Sequence, residues 1–536
     1  MRKALAAALV VLLAATGCAD GPEADPIGPA RPGVLRVLAS SELADLQPVL
    51  DEAAKATGVE VRFAFTGTLE GAEALAKGEV DGKYDAVWFS SNRYLSGVPE
   101  AAKRLGTATG IAGSPVVLGL AESTAKRLGW TDRRPGWKEI AETAGRGGFR
   151  YGMTDPSASN SGFSALVAVA SALVGTGTVV DAAGIEAATP GLKAFFGAQA
   201  LSAGSSGWLS EAYARRSAEG EAKVDGLVNY ESVLLSLNDS GTLPEPLRVI
   251  YPSDGVVSAD YPLTLLTSAG DDARESHRRL GEYLRTPAAQ KRIVETTARR
   301  PAVPGVDLDG RFAVRDLVEL PFPTAAESVD ALLTAYFDEL RRPSRTLYVL
   351  DTSGSMAGDR IAGLRSALVG LTGADGSITG RFRRFRNREE VTLLPFNTGP
   401  GSPSTFTVPD KDPGPELARI KSFAEGLGEG GGTAIYDSLA AAYRVLGPQL
   451  AKDPDRFTSI VLMTDGENSN GSDLDDFKAT FGALTPQLKR VPVFTVLFGE
   501  GSGAELGEVA AMTGGKVFDA REVRLGKVFQ EIRGYQ

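Results

Sequence analysis

Five side chains carry oxygen donors of the kind a hard cation needs. Asp351, Ser353 and Ser355 come from "DTSGS" (351–355), Thr433 from "GEGGGTAIYDSL" (428–439) and Asp465 from "MTDGENS" (463–469). Mg2+ takes a near-octahedral set of oxygens at about 2.0–2.1 Å and keeps some of its waters, which two carboxylates and three hydroxyls can satisfy. Such a set supplies less negative charge than an all-carboxylate cage, so an acidic side chain from a partner could complete the shell. Alone, "DTSGSM" reads as a capped turn; with the glycine-rich threonine loop and the "TDG" strand end following in order, it reads as a metal site.

These loops need a scaffold, and the sequence around them supplies one. "TLYVLD" (346–351) has the run length of a buried strand, and "DRIAGLRSALVGLT" (359–372) follows as a helix with Ile361, Leu364, Leu368 and Leu371 on one face. Further strands read as 391–397, 459–465 and 491–499, with helical segments between them. The pattern predicts a doubly wound, mostly parallel α/β sheet whose chemistry gathers beyond the strands' carboxyl ends.

Over roughly 346–536 this combination resembles the von Willebrand factor A domain and its metal-ion-dependent adhesion site, with all five residues of that motif in place. The resemblance implies that Ser353 and Ser355 ligate directly, that Asp351 and Thr433 act directly or through water, and that Asp465 anchors the far side. It also implies Mg2+ (or Mn2+/Ca2+) as the cofactor and an acidic side chain of an unknown protein as the partner.

The first half alternates strands such as "VLRVLASS" (34–41), "VEVRFAFTGT" (59–68), "YDAVWFSS" (84–91) and "PVVLGL" (115–120) with helical stretches. Several strands end in hydroxyl residues, which in an open α/β sheet would line one cleft. In "YGMTDPSASNSGFSALVAVASALVG" (151–175) a helix begins near Ser161, where Ser159, Asn160 or Ser161 either caps it or cradles a polar ligand. In order, these segments, "YPSDGVVSADYPLTLL" (251–266), "EYLRTPAAQKRIV" (282–294) and "RRPAVPGV" (299–306) resemble a bacterial extracellular solute-binding protein, most similar to the two-lobed kind that captures molybdate, sulfate, phosphate or iron. The resemblance implies two α/β lobes closing by hinge motion. By position it places Ser40, Ser41, Thr68, Ser91, Ser159, Ser161 and Tyr230 near the cleft. Trp88 and Phe89 could serve there or belong to the core. His277, the sole histidine, lies in a charged helical stretch and reads as a solvated residue; "GRFRRFRNREE" (380–390) reads as a solvated loop, with a patch for anionic lipid or wall polymer as its alternative.

At the amino end, Arg2 and Lys3 precede a short apolar run (4–15) that reads as a secretory signal. "ATGC" (15–18) resembles the lipobox of bacterial lipoproteins, which makes Cys18, the only cysteine, the lipidated residue. The expected organisation is signal 1–17, flexible tether 18–33, two-lobed solute-binding unit 34–306, connecting segment with a helix 307–343, and the von Willebrand factor A unit 344–536. The helix around 324–345 should pack between the halves. A formal charge of −10 excludes phosphate backbones as partners, so no nucleic acid is expected. With one histidine, one cysteine and no Walker-type loop, no catalytic set is legible, and the chain reads as a non-enzyme. The function expected is a lipoprotein on the outer face of the bacterial cytoplasmic membrane that binds a partner through its metal site and captures a small solute. The alternative is a receptor delivering a small polar or anionic ligand to an ABC-type permease.

Overall fold

The computed structural model describes residues 27–175, 180–218, 224–323, 325–465, 467–499, 503–521 and 525–535. The signal segment, Cys18 and most of the tether lie outside the described residues.

The first unit holds two sheets. Strands β1 (Val34–Ala39), β2 (Glu60–Phe65), β3 (Ala86–Trp88) and β4 (Leu105–Gly110) build the first lobe. The second lobe is built on β5 (Ala112–Ala121), β6 (Tyr151–Thr154), β7 (Gln199–Ala203), β8 (Gly226–Tyr230), β9 (Leu247–Ile250) and β10 (Ser258–Ala259). Strand β11 (Pro262–Leu266) then returns to the first lobe, whose order becomes β2-β1-β3-β11-β4, and β12 (Arg300–Pro301) pairs with β5. The helices that matter below are α1 (Thr68–Lys77) in the first lobe, α2 (Asn160–Val174) in the second, and α3 (Asp271–Leu284) against β11. A single apolar cluster runs through both lobes, from Leu35 and Val37 to Trp137 and Phe195.

Helix α4 (Ala326–Ala335), continued by one wider turn (Tyr336–Leu340), joins the halves. Its Val329, Leu332, Leu333, Tyr336 and Phe337 enter that same cluster, as the apolar spacing of 324–345 predicts. Tyr94 of the first lobe donates to Asp330 Oδ1 (3.0 Å), and Tyr336 donates to Gln199 Oε1 of the second (2.8 Å), so the helix is tied to both.

The last unit is a six-stranded sheet of β13 (Ser344–Asp351), β14 (Glu390–Phe396), β15 (Ser404–Thr407), β16 (Phe457–Thr464), β17 (Val493–Leu497) and β18 (Val517–Asp519). Its order is β15-β14-β13-β16-β17-β18, parallel except for the edge strand β15. All eight residues of β13 are buried: Tyr348 and Leu350 face one apolar cluster while Leu347 and Val349 face another. A central strand covered by helices on both faces has to read as a continuous apolar run. Around the sheet lie α5 (Asp359–Val369), α6 (Ile378–Arg383), α7 (Ile435–Lys452) and α8 (Leu525–Arg533).

Two sequence expectations fail. His277 is buried and its Nε2 lies 3.0 Å from Leu263 O, because Ala273, His277, Leu280 and Leu284 form the inward face of α3. Burial pushes its imidazole below the usual range. The 380–390 segment is not a solvated loop either: Phe382, Arg383, Phe385, Arg386 and Glu389 are all buried. Each of these charges has a partner, with Arg383 on Glu70, Arg386 on Asp338, and Glu389 between Arg341 and Arg533. Trp88 and Phe89 belong to the core, fully buried.

Candidate functional site

Strand β13 ends at Asp351, and the chain turns there into α5 through Ser353 and Ser355. The Asp351 carboxylate fixes the turn: Oδ1 accepts from Ser353 N (2.8 Å) and Oδ2 from the Thr464 hydroxyl at the end of β16 (2.6 Å). Ser353 Oγ lies 3.0 Å from Ser355 Oγ, and Ser355 Oγ donates to Asp465 Oδ1 (2.9 Å). Four of the five expected oxygen-bearing side chains therefore form one hydrogen-bonded chain across two neighbouring strand ends.

Thr433 reaches the same edge through its glycine-rich loop. Gly430 N donates to Thr352 O and Gly354 N donates to Gly431 O, both at 2.9 Å, which staples the loop onto the "DTSGS" turn. Gly431 sits at φ 83°, where a side chain would be strained and would press on Thr398. On the other side, Ser469 Oγ accepts from Thr433 N (2.9 Å) and Asn468 Oδ1 from Ile435 N (2.8 Å), joining the threonine loop to the segment after Asp465. Sequence reasoning missed Thr464, Asn468 and Ser469; the polar run "TDGENSN" is the signal that carried them.

Asp351, Ser353, Thr433 and Asp465 are buried while Ser355 is exposed, so the cluster opens outward at one hydroxyl. Burial pushes the Asp351 carboxyl up, hydrogen bonds from Ser353 and Thr464 pull it back, and the charge of Asp465 adds to the rise. Arg360, one residue into α5, donates through Nη1 to Asp465 Oδ2 (2.5 Å) and to Ser355 O (3.3 Å). Sequence reasoning did not anticipate this guanidinium. Among the described residues no group of three or more His, Cys, Asp or Glu side chains is placed to hold a metal. The oxygens that do meet here are two carboxylates and the hydroxyls of Ser353 and Ser355, donor chemistry that suits a hard, partly hydrated cation.

The residues expected at the solute cleft divide between the lobes. In the first, Ser40 is buried and accepts from Ser90 N (3.0 Å), Ser41 is exposed, and Ser91 is half-buried. Ser91 borders a cavity of about 570 Å3 lined also by Arg93, Asp260 and Phe322. In the second, Ser161 Oγ lies 2.8 Å from both Thr154 Oγ1 and Ser206 Oγ and 3.2 Å from Ser159 Oγ, while Tyr230 donates to Asn160 O (3.1 Å) and lies 3.0 Å from Ser164 Oγ. Neither Ser159 nor its neighbours makes a side-chain cap on α2. Across the cleft Thr68 donates to Asn160 Oδ1, Tyr94 meets Phe163 edge-on at 5.2 Å, and a side chain on Gly67 would collide with the Ala158 carbonyl. The two lobes are thus in direct contact at Thr68 and Asn160, close to Ser159, Ser161 and Tyr230, whereas among the described residues no contact brings Ser41 or Ser91 to that group.

Fold and site together define a two-part α/β protein: a two-lobed unit followed by a doubly wound sheet of strand order 3-2-1-4-5-6 with oxygen donors at its carboxyl edge. Residues 35–296 match the family model described as bacterial extracellular solute-binding protein. Among solved structures, the periplasmic binding protein AfuA from Actinobacillus pleuropneumoniae is 12% identical, with 57% of this chain and 98% of that chain covered at a TM-score of 0.44. Iron-bound HitA from Pseudomonas aeruginosa is 17% identical, with 57% and 99% covered at 0.43. A von Willebrand factor type A structure from Catenulispora acidiphila is 18% identical, with 36% and 42% covered at 0.29. Inter-alpha-trypsin inhibitor heavy chain H4 of Bos taurus is 28% identical over 171 residues, which span 31% of this chain and 17% of that protein. Over residues 35–296 the first unit is thus similar to bacterial extracellular solute-binding proteins, and the second is a doubly wound α/β sheet with oxygen donors at its carboxyl edge. Among the described residues no helix is long and apolar enough to cross a membrane.

Proposed function

We propose that this protein is a lipid-anchored, non-enzymatic receptor of the outer face of the bacterial cytoplasmic membrane, which captures a protein partner through a divalent cation. Asp351, Ser353, Ser355, Thr433 and Asp465 would hold the ion, and an acidic side chain of the partner would fill its remaining position. When bound, the ion supplies a concentrated positive charge that a carboxylate can ligate. The chain's own residues do the rest: Thr464 and Ser353 N orient Asp351, and the Gly430 and Gly431 backbone holds the threonine loop in register. The observation carrying this reading is that oxygen donors on separate strand ends meet in one cluster that reaches the surface at Ser355. Cys18, in its lipobox-like setting, would carry the anchor.

Delivery of a small polar or anionic solute to a permease is the second reading, and the family match over 35–296 favours it. Lobe-to-lobe contacts at Thr68, Asn160, Tyr94 and Phe163 favour the first. The deciding experiment is a pull-down from envelope extract with the full chain in Mg2+ or in chelator. Metal-dependent capture of a discrete protein, lost in Asp351→Ala, is the expected result. Equal capture with and without chelator would defeat the adhesion reading.

A further inference from the structure

The buried arginine segment of the C-terminal domain lies where the two lobes of the solute-binding domain meet. Helix α6 and its flank bring Arg383, whose side chain is 2% exposed, into contact with both lobes. Nη1 donates to Glu70 Oε1 on α1 of the first lobe (2.5 Å), and Nη2 donates to Ser157 O, in the loop before α2 of the second lobe (3.1 Å). Four residues earlier, the backbone N–H and hydroxyl of Thr379 both donate to Glu73 Oε2, at 2.9 and 2.8 Å. Phe382 enters the apolar cluster shared by the lobes. At the far end of the same domain, Tyr535 meets Trp208 of the second lobe edge-on at 5.0 Å and packs on Gly204, and Gly534 lies against Ala158.

We infer that the C-terminal domain is an internal clasp: Arg383, pinned to Glu70 on one lobe and to Ser157 on the other, keeps the solute cleft shut, and the lobes part only when this domain lifts away. In two-lobed receptors the lobes swing about a hinge to admit ligand. Here a swing of the first lobe must break the Glu70 and Glu73 contacts, and a swing of the second must break the Ser157 and Trp208 contacts. Breaking them separates the buried Arg383 guanidinium from the Glu70 carboxylate and the Ser157 carbonyl, which is costly until water reaches the freed groups. Burial raises the Glu70 carboxyl, but attraction to Arg383 and hydrogen bonds from Thr66 and Arg383 outweigh it and hold the group down at about 2, so the carboxylate stays charged through the ordinary pH range. Access of a solute to the first domain is thereby coupled to the docking of the second.

The test is hydrogen–deuterium exchange on the full-length chain with Arg383→Gln and Glu70→Gln, beside Arg381→Gln as a control. Arg381 is half-exposed and pairs with Asp330 on the connecting helix, so it touches the same domain without spanning the cleft. For the first two variants, amides in 67–71 and 157–163 should exchange faster by about tenfold or more, while the strands Ser344–Asp351 and Phe457–Thr464 keep their protection. The control should leave both cleft segments at wild-type rates. Unchanged exchange at the cleft in Arg383→Gln would overturn the clasp. So would protection lost equally in the central strands, since Arg383 would then be supporting the fold at large.

Discussion

Replacing Arg360 by Gln should tighten the binding of a divalent cation. In the structure the guanidinium holds Asp465 through one short hydrogen bond (2.5 Å) and reaches Ser355 O at 3.3 Å. A hydrogen bond between charged groups contributes about 1.5–3 kcal/mol. The Arg360 side chain is 39% exposed, so water screens it and the pair is worth nearer about 1 kcal/mol. A cation entering the cluster competes with that guanidinium for the same carboxylate, and whatever the pair contributes to the metal-free protein is subtracted from metal affinity. Removing it should lower the stability of the metal-free form by about 1 kcal/mol and raise Mn2+ affinity by about fivefold, since about 1.4 kcal/mol is a factor of ten. Calorimetric titration of Mn2+ alone into wild type and Arg360→Gln, with thermal unfolding in chelator and in saturating metal, reads both quantities. Unfolding temperatures should differ in chelator and converge in metal. Weaker Mn2+ binding by the variant would refute the competition and make Arg360 a prop for the donor set. No binding by either protein would remove the metal site itself.

Two further outcomes follow from buried charge. Glu389 accepts from Arg341 (3.1 Å), from Arg533 (2.6 and 2.7 Å) and from Arg386 N (3.0 Å), and all three charged side chains are buried. Glu389→Gln strips the carboxylate from two buried guanidinium groups and should cost about 3–5 kcal/mol in urea unfolding; a loss under about 1 kcal/mol would contradict the pairing. Glu42 presents Oε1 to no partner and no solvent, and burial, partly offset by hydrogen bonds and Arg299, pushes its carboxyl up to about 7. The folded chain then binds more protons than the unfolded one between 4.5 and about 7, so its stability falls as pH rises through that window. Glu42→Gln should flatten this slope and be the more stable form at pH 8, by on the order of 2–3 kcal/mol; parallel stability–pH curves would show that Glu42 is not its source.

The elements were largely legible because each burial pattern writes its own period. The run "TLYVLD" could only be a doubly covered central strand, and Ile361, Leu364 and Leu368 could only be one helix face. The donors at 351, 353, 355 and 465 were legible because a turn after such a strand leaves its polar side chains at the sheet's edge. Arg360 was not, since an arginine in a first helical turn gives no sign of which carboxylate it will meet. The 380–390 segment misled for a related reason: arginines next to phenylalanines look solvated until their acids are known, and those acids (Glu70, Asp330, Asp338) are distant in sequence. His277 could have been read correctly. Its spacing from Ala273, Leu280 and Leu284 is that of an inward helix face, outweighed by the charges around it. Closure of the cleft by Thr68 and Asn160 was not legible, because a hydroxyl at a strand end serves a ligand and a neighbouring lobe equally well.

The apolar cluster that runs through both lobes, the connecting helix and Phe382 bears on how the gene product can be divided. A fragment cut near residue 343 would bare Phe382, Arg383 and Tyr535 on one piece and leave Glu70, Glu73 and Trp208 uncovered on the other. Two units that read as separate in the sequence share one packed interior, and severing them would yield two adhesive halves in place of two working modules.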